Sequence, residues 1–304
     1  KAARHELDRI LKKEPAHHDA RFGLATLLME QGQLNQAARE FESLASVEKW
    51  RHQAHFYLGL IDARAGHLAS ALSHFDRVTE GVLEFDARVN ATTALINMGN
   101  MQEARQRLVG IRSKFPNEAL RLYLLESELL VRNKAFSEAF DLLSEALTDL
   151  PGQVELLYSR SLVAEQLDRV EVMEADLRAV LEKNPDDANA LNALGYTLTD
   201  RTDRLDEARP LLERAMALRP RDPAIMDSYG WLLYRQGDLP AALNHLRQAF
   251  GLVKDPEIGG HLGEVLWVSG QRSQARKIWR EMLRKDPGHG RLLRLREKYP
   301  EGFR

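Results

Sequence analysis

Side chains that could do catalytic or metal chemistry are sparse in this 304-residue chain, which has ten histidines and no cysteine. Two pairs of histidines lie close together in the sequence, His17 with His18 and His52 with His55. A zinc site needs at least three protein ligands, and neither pair has an identifiable third. We therefore interpret these histidines as solvated or turn residues, and the sequence predicts no metal site.

Motifs that position a nucleophile or a phosphate are also missing from the sequence. The segment Gly259-Gly260-His261-Leu262-Gly263 has neither the spacing nor the preceding strand of a dinucleotide-binding loop, and no Gly-x-Ser-x-Gly elbow occurs. Asp186 and Asp187 lie at the start of a predicted helix, where carboxylates complement the helix dipole. We therefore predict no catalytic residue and no cofactor, and we expect that the chain is not an enzyme.

The composition narrows the class of partner. Lys and Arg (43) nearly balance Asp and Glu (45), so no net charge attracts nucleic acid or an anionic membrane. No apolar run reaches the roughly 18 residues of a membrane span. Basic residues are concentrated at Arg272, Arg276, Lys277, Arg280, Arg284 and Lys285. We interpret them as a solvated helix face. An acidic protein or a phosphate-bearing surface is the alternative, and nucleic acid is disfavoured because no base-reading motif accompanies them.

The elements that position these side chains follow from a repeat of about 34 residues. Each unit has a small residue, then a tight alanine, then a large apolar residue. Three of the units read Gly59, Ala71 and Phe75; Gly195, Ala208 and Leu212; and Gly230, Ala242 and Leu246. A glycine inside a helix costs about 1 kcal/mol relative to alanine, so its recurrence indicates that a second helix crosses closely at that point.

Glycines and prolines divide the chain into helical hairpins. Full units are predicted to begin near residues 18, 52, 85, 120, 154, 188, 223 and 256, and to end near residue 289. Residues 1–17 match the second helix of a truncated unit, so we expect further sequence upstream. Residues 290–304 are predicted to form a polar capping helix. Two departures are local: Met173 replaces the tight alanine in unit five, and unit six has one extra residue near Thr202.

This pattern resembles the tetratricopeptide repeat family from residue 1 to about residue 289. The resemblance implies an all-α fold, an α-solenoid in which helix-turn-helix repeats form a right-handed superhelix. Such arrays commonly bind other proteins on their concave face. Some members hold a peptide C-terminus with Lys and Asn from successive first helices, but the matching positions here are Phe22 and Thr26, Phe56 and Leu60, and Val89 and Thr93. A receptor for chaperone tails is therefore disfavoured.

In this family the first helix of each unit lines the concave groove. Units six to eight place these residues at the inward positions: Asn189, Asn192, Tyr196, Asp227, Trp231, Tyr234, Arg235, Glu264 and Trp267. Aromatic residues and Arg dominate binding hot spots, so we predict a partner site there. We expect Trp231 and Trp267 to be at least partly exposed and to act as anchors with Tyr234. The alternative is that the rings pack between neighbouring helices as ordinary core.

Within the family, residues 191–198, 203–208 and 227–235 resemble proteobacterial outer-membrane lipoproteins, among them binding partners of carboxy-terminal processing proteases. This resemblance implies a periplasmic adaptor that joins such a protease to protein substrates, for example hydrolases of peptidoglycan cross-links. Its only link to the membrane would be a lipid anchor upstream of this chain. Two alternatives stay open. The chain is the helical part of an envelope enzyme whose catalytic domain lies upstream, or it is an assembly factor for polysaccharide export or pilus secretion.

Overall fold

The computed structural model describes residues 2–303, and within them the chain forms eighteen α-helices, three short 3-10 turns and no strand. The prediction of an all-α chain is confirmed. In chain order the helices are α1 (Ala2–Lys13), α2 (His18–Glu30), α3 (Leu34–Ala45), α4 (Arg51–Ala65), α5 (Leu68–Phe75), α6 (Glu84–Asn97), α7 (Met101–Lys114), α8 (Ala119–Arg132), α9 (Phe136–Asp149), α10 (Val154–Gln166), α11 (Val170–Lys183), α12 (Ala188–Arg201), α13 (Leu205–Leu218), α14 (Pro223–Arg235), α15 (Leu239–Leu252), α16 (Pro256–Val268), α17 (Arg272–Lys285) and α18 (Gly290–Lys298).

The even-numbered helices from α2 to α16 are the first, or A, helices of eight consecutive hairpins, and the odd-numbered helix after each is its B helix. The A helices begin at residues 18, 51, 84, 119, 154, 188, 223 and 256. Helix α1 precedes the first hairpin and α18 follows the last. Within residues 2–303, no helix has the length and apolar character needed to cross a membrane.

The turns between A and B helices use the left-handed backbone conformation that ends a helix. Five of these turns carry a glycine with positive φ: Gly32, Gly66, Gly99, Gly237 and Gly270. In units four and five, Lys134 (φ 60°) and Asp168 (φ 59°) take the same conformation without the freedom of glycine. Unit six differs, because Thr202 ends α12 with an extended backbone. The turn itself has three residues, as in units five and seven, and the extra residue lengthens α12, which has 14 residues where α10 and α14 have 13.

The chain divides into two compact units, an N-terminal unit of residues 1–122 and a C-terminal unit of residues 123–304. In the N-terminal unit, a Cβ added to Gly59 would lie 2.6 Å from the Phe75 ring. In the C-terminal unit, a Cβ added to Gly195 would lie 2.6 Å from Leu212. Both distances are far inside van der Waals contact. Glycine is therefore present where the B helix crosses its A helix too closely for any side chain.

Helix α18 lies against α16 in the C-terminal unit. Its Arg291, Leu292 and Leu295 are buried, and Gly260 of α16 leaves room for the Arg291 stem, which a Cβ at that position would meet at 2.9 Å. The face of α18 that contacts the protein thus buries two leucines and one arginine, and its other face carries the exposed Arg294, Arg296 and Lys298. Beyond α18, the Phe303 ring stacks on the Trp279 ring at 4.9 Å and fixes the end of the segment.

Candidate partner-binding site

The A helices of the last three hairpins converge on one guanidinium group. Arg291 donates hydrogen bonds to the Tyr196 hydroxyl at 2.7 Å and to Asp200 Oδ1 at 3.0 Å, both on α12. Its Nε donates to Glu257 on α16, and its Cζ lies 5.1 Å from the centre of the Trp231 ring on α14. We call Tyr196, Asp200, Trp231 and Glu257 the arginine box.

Trp231 is held in the box by contacts that do not involve α18. Its indole Nε1 donates a hydrogen bond of 3.0 Å to Asp200. Its ring stacks on the imidazole of His261 with 4.3 Å between ring centres. His261 is fully buried, and its Nδ1 donates to Asp227 Oδ2 at 2.8 Å. Contacts among the neighbouring helices α12, α14 and α16 thus hold the Trp231 indole in position, independently of α18.

The charges of the box compensate one another. Burial raises the pKa of Tyr196 more than the nearby Arg291 lowers it, so the phenol stays neutral. Burial alone would raise the pKa of Glu257, but Arg291 and His261 outweigh it and the pKa is lowered. Burial alone would lower the pKa of Arg291, but Tyr196, Glu257 and Asp200 outweigh it and the pKa is raised. The box is therefore suited to a permanent cation that makes several hydrogen bonds.

The expectation that Trp231 and Trp267 are partly exposed is wrong, because each has only 5% of its surface accessible. Trp231 is enclosed between His261 on one side and Arg291 on the other. Trp267 packs against the Trp279 ring at 5.6 Å and the Tyr299 ring at 5.8 Å. Both indoles are part of the core that α18 and the following residues complete, so neither can be a free anchor in this conformation.

Other predicted residues of the same stretch are also used internally. Glu264 is buried and accepts a hydrogen bond from Lys298 at 2.7 Å. Asp227, also buried, is the partner of His261 described above. Arg235 donates to Asp203 at 2.8 Å across the turn of unit six. Tyr234 is half-buried, with its ring 4.9 Å from that of Trp231.

Asn189 and Asn192 are not part of the box, but together with its Tyr196 and Glu257 they line an open cavity of about 530 Å³. Asn189 is exposed and accepts a hydrogen bond from Arg219 at 2.9 Å. Asn192 Oδ1 is buried without a hydrogen-bond partner in the structure. The nine predicted residues therefore do not form one site. Four of them line this open cavity: Asn189, Asn192, Tyr196 and Asp227. Trp231, Tyr234, Arg235 and Glu264 line a different cavity beside α18, and Trp267 lies in the core next to it.

A second, larger cavity of about 720 Å³ adjoins the first, and none of the nine predicted residues lines it. Leu162 and Glu165 of α10 line the two cavities together. The larger one exposes Val131 of α8 and Leu162, which have 37% and 41% of their surfaces accessible. We call the two cavities the open groove. Their lining residues come from units four to eight and include the aromatic residues Phe136, Tyr158 and Tyr196, but not the predicted anchors Trp231, Tyr234 and Trp267.

The open groove is acidic where it approaches the arginine box. Glu165 lines the open groove and also a cavity of about 360 Å³ beside Arg291. The pKa of Glu165 is raised, chiefly because the groove walls restrict its hydration and further because Glu257 and Asp200 are negative. Apolar side chains and carboxylates thus both line this part of the groove, a combination that suits a segment carrying apolar and basic residues.

The histidines of the N-terminal unit differ in their surroundings. His17 Nδ1 accepts a hydrogen bond from the Ala20 amide at 3.2 Å and caps α2, as a turn residue does. His55 is buried, with its Nδ1 3.0 Å from that of His74, so its interpretation as a solvated residue is wrong. Within residues 2–303, no group of three or more His, Cys, Asp or Glu is arranged to hold a metal ion.

Comparison with known proteins identifies the repeats. Residues 1–49 and residues 186–255 each match a family described as tetratricopeptide repeat. These segments are tetratricopeptide repeats. A solved tetratricopeptide repeat protein from Parabacteroides merdae superposes with a TM-score of 0.60 at 17% identity, over 79% of this chain and 94% of that one. The all-α tetratricopeptide fold predicted from the sequence is therefore confirmed.

Two curated bacterial proteins are similar in sequence. The TPR repeat-containing protein PA4667 of Pseudomonas aeruginosa is 44% identical over 211 residues, which is 69% of this chain and 36% of that protein. The bacteriophage adsorption protein A of Escherichia coli is 33% identical over 108 residues, which is 34% of this chain and 11% of that protein. This chain thus spans a minor part of each relative. Tetratricopeptide repeats indicate a scaffold for protein interaction.

Proposed function

We propose that this chain is a non-enzymatic scaffold that holds a protein partner along the open groove of its C-terminal unit. The observation that carries this proposal is the pair of exposed apolar side chains, Val131 and Leu162, inside adjoining cavities on the A helices. An apolar side chain in a concave, partly desolvated position gains more from covering than one on a flat surface. The covered aromatics near α18 are not available in the same way.

We further propose that the scaffold is an adaptor in the Gram-negative cell envelope. One comparison supports this: the Escherichia relative is named for bacteriophage adsorption, an event at the bacterial surface. In this proposal the chain is periplasmic and a lipid anchor upstream of it attaches the whole protein to the outer membrane. Its partners are a carboxy-terminal processing protease and substrates such as hydrolases of peptidoglycan cross-links.

The mechanism in this proposal is proximity. When a protease and its substrate bind one array, their encounter becomes effectively intramolecular, and the local concentration reaches the millimolar range. The array needs no catalytic group for this effect. It must hold both partners at the same time, so that removal of either binding surface returns cleavage to its slow bimolecular rate.

A matched pair of substitutions tests the proposed surface. Leu162→Asp introduces a charge inside the open groove, whereas Leu218→Asp introduces the same charge at a residue that is 37% exposed at the end of α13 and lines neither cavity. We expect Leu162→Asp to reduce capture of the processing protease or its substrate from envelope extract at least tenfold. Leu218→Asp should have little effect.

The identity of the captured proteins tests the finer proposal. Capture of a carboxy-terminal processing protease together with a cell-wall hydrolase would support the adaptor. Capture of components of polysaccharide export or pilus secretion would replace it with the assembly-factor alternative. Equal capture by both variants would contradict the open groove as the binding surface.

A further inference from the structure

The arginine box is built by residues far from its occupant in the sequence. Arg291 lies 95 residues after Tyr196 and 91 residues after Asp200, and it contacts three A helices that belong to three different hairpins. The box offers a guanidinium two carboxylates, one phenol and the face of an indole. This is the chemistry by which proteins commonly recognise an arginine side chain of a ligand.

Much of the box remains in place when Arg291 is left out of consideration. The Trp231 indole is fixed by Asp200 and by the stacked His261, and the Tyr196 hydroxyl donates to Glu257 at 3.0 Å. Without a cation, two carboxylates would face each other in a partly buried position, which is unfavourable. The wall therefore retains an affinity for a guanidinium whether or not α18 supplies it.

Helix α18 is a small ligand for this wall. It has nine residues, of which Arg291, Leu292 and Leu295 are buried. A helix of this length is not stable alone in water, so its order depends on contact with the wall. The stacking of Phe303 on Trp279 would keep the segment attached to the protein even if α18 left the box. Because the occupant is tethered, it competes with an outside ligand at a high effective concentration.

Space for a second ligand exists on both sides of the arginine. Cavities of about 360 and 430 Å³ both include Arg291 and Arg294 in their linings. The first of them shares Glu165 and Tyr196 with the smaller cavity of the open groove. A segment bound in the open groove would therefore reach the box directly, through the cavity that shares these two residues.

We propose that the arginine box is a partner-recognition site and that α18 is its resident ligand. In this proposal, which rests on the proposed scaffold function, the partner presents a basic amphipathic helix with an arginine followed by apolar residues one and four positions later. This is the pattern of Arg291, Leu292 and Leu295. The partner helix displaces α18 and its arginine enters the box.

An exchange experiment with a defined peptide tests the proposal. The probe is a fluorescently labelled peptide with the sequence of residues 288–299, and binding is followed by fluorescence anisotropy. We expect the full chain carrying Arg291→Ala and Leu295→Ala to bind the probe at least tenfold more tightly than the unmodified chain, because its own α18 competes less. A probe with alanine in place of the arginine that corresponds to Arg291 should lose at least tenfold in affinity for that variant.

A matched pair of substitutions assigns the binding to the box. We call the chain with Arg291→Ala and Leu295→Ala the released variant. In it, Asp200→Asn removes one carboxylate of the box and should weaken binding of the probe at least tenfold. Asp206→Asn removes an exposed carboxylate on α13, outside the box, and should leave binding unchanged. If the released variant folds, as judged by circular dichroism, and binds no better than the unmodified chain, α18 is a structural cap and the proposal is overturned.

A second measurement covers the case in which the released variant does not fold. The chain has no cysteine, so Arg296→Cys on the exposed face of α18 gives a single site for a nitroxide label. Excess probe should increase the mobility of that label in the otherwise unmodified chain, and unchanged mobility would overturn the proposal. Neither result depends on Leu162, so failure here with intact Leu162-dependent capture would leave the scaffold function standing.

Discussion

Arg291 and Tyr196 are joined by a hydrogen bond of 2.7 Å across 95 residues of sequence. This bond and the one to Asp200 tie α18 to the A helix of unit six, and the bond to Glu257 ties it to the A helix of unit eight. In a linear array, each repeat ordinarily contacts only its neighbours. Here one side chain links units that are not neighbours, and it covers the aromatic residues that would otherwise attract a partner.

The crossing at Gly263 gives a stability prediction. A Cβ on Gly263 would overlap the indole nitrogen of Trp279, which is fully buried and cannot move aside. We expect Gly263→Ala to lower the unfolding free energy by about 1–3 kcal/mol, the usual cost of overpacking. In Gly251→Ala the new methyl group meets nothing within 4 Å, so this control should gain about 0.5–1 kcal/mol. Urea denaturation followed by circular dichroism measures both, and an equal effect of the two would contradict the packing argument.

The turn of unit four gives a prediction of the opposite sign. Lys134 has φ 60°, a left-handed conformation that costs a non-glycine residue about 1–2 kcal/mol. Lys134→Gly should therefore stabilise the protein by up to about 1 kcal/mol, since part of the gain is offset by the greater freedom of glycine when unfolded. Gly237→Ala, at φ 90° in the equivalent turn of unit seven, should destabilise it. Thermal melts of the two variants should shift in opposite directions.

The fold could be predicted from the sequence because its signals are local and repeated. Gly195 and Leu212 come from one hairpin, and the spacing between them predicts that the two helices cross closely. In the structure, a Cβ added to Gly195 would lie 2.6 Å from the Leu212 side chain. The site could not be predicted in the same way. The position of Trp231 in its repeat predicts that its side chain faces inward. It does not predict that Arg291, 60 positions later, packs over the indole ring.

The composition of Arg291 and its neighbours added to the error. A helix rich in arginine is normally solvated, and no local pattern distinguishes Arg291, which is buried, from the exposed Arg294 and Arg296. Conversely, Val131 and Leu162 resemble ordinary core residues in sequence, yet they line open cavities. Burial in this part of the chain depends on contacts between hairpins that are distant in sequence. The residue pattern within one repeat does not predict such contacts.

His55 gives the N-terminal unit a dependence on pH. Burial, with His74 and nearby cations, lowers the pKa of His55 from 6.5 to about 4. The folded state therefore binds fewer protons at His55 than the unfolded state between these values. The contribution of the neutral His55 to stability is fully present above pH 6.5 and is lost progressively as the pH falls toward 4. His55→Gln should flatten the dependence in this window. Hydrogen exchange of α4 amides at several pH values measures it, with exposed His5→Gln as the unchanged control.

Glu165 should act in the opposite direction. Restricted hydration and the charges of Glu257 and Asp200 raise the pKa of Glu165 above 4.5, so its ionised form is disfavoured in the folded protein. This penalty is present above the raised pKa and disappears as the pH falls to the unfolded value. Glu165→Gln should therefore raise the melting temperature slightly at pH 7 but not at pH 4. Glu155→Gln, on the exposed side of α10, should raise it at neither pH.

The role of Trp231 can be decided by separating stability from binding. Because Trp231 is 5% exposed and enclosed between His261 and Arg291, we expect Trp231→Ala to cost about 3–5 kcal/mol of unfolding free energy, as large truncations in a core do. Half-buried Tyr234→Ala should cost less. Trp231→Phe keeps most of the packing and should retain the fold while losing the hydrogen bond to Asp200. Full stability of Trp231→Ala combined with loss of partner capture would instead make Trp231 a direct anchor and would contradict its structural role.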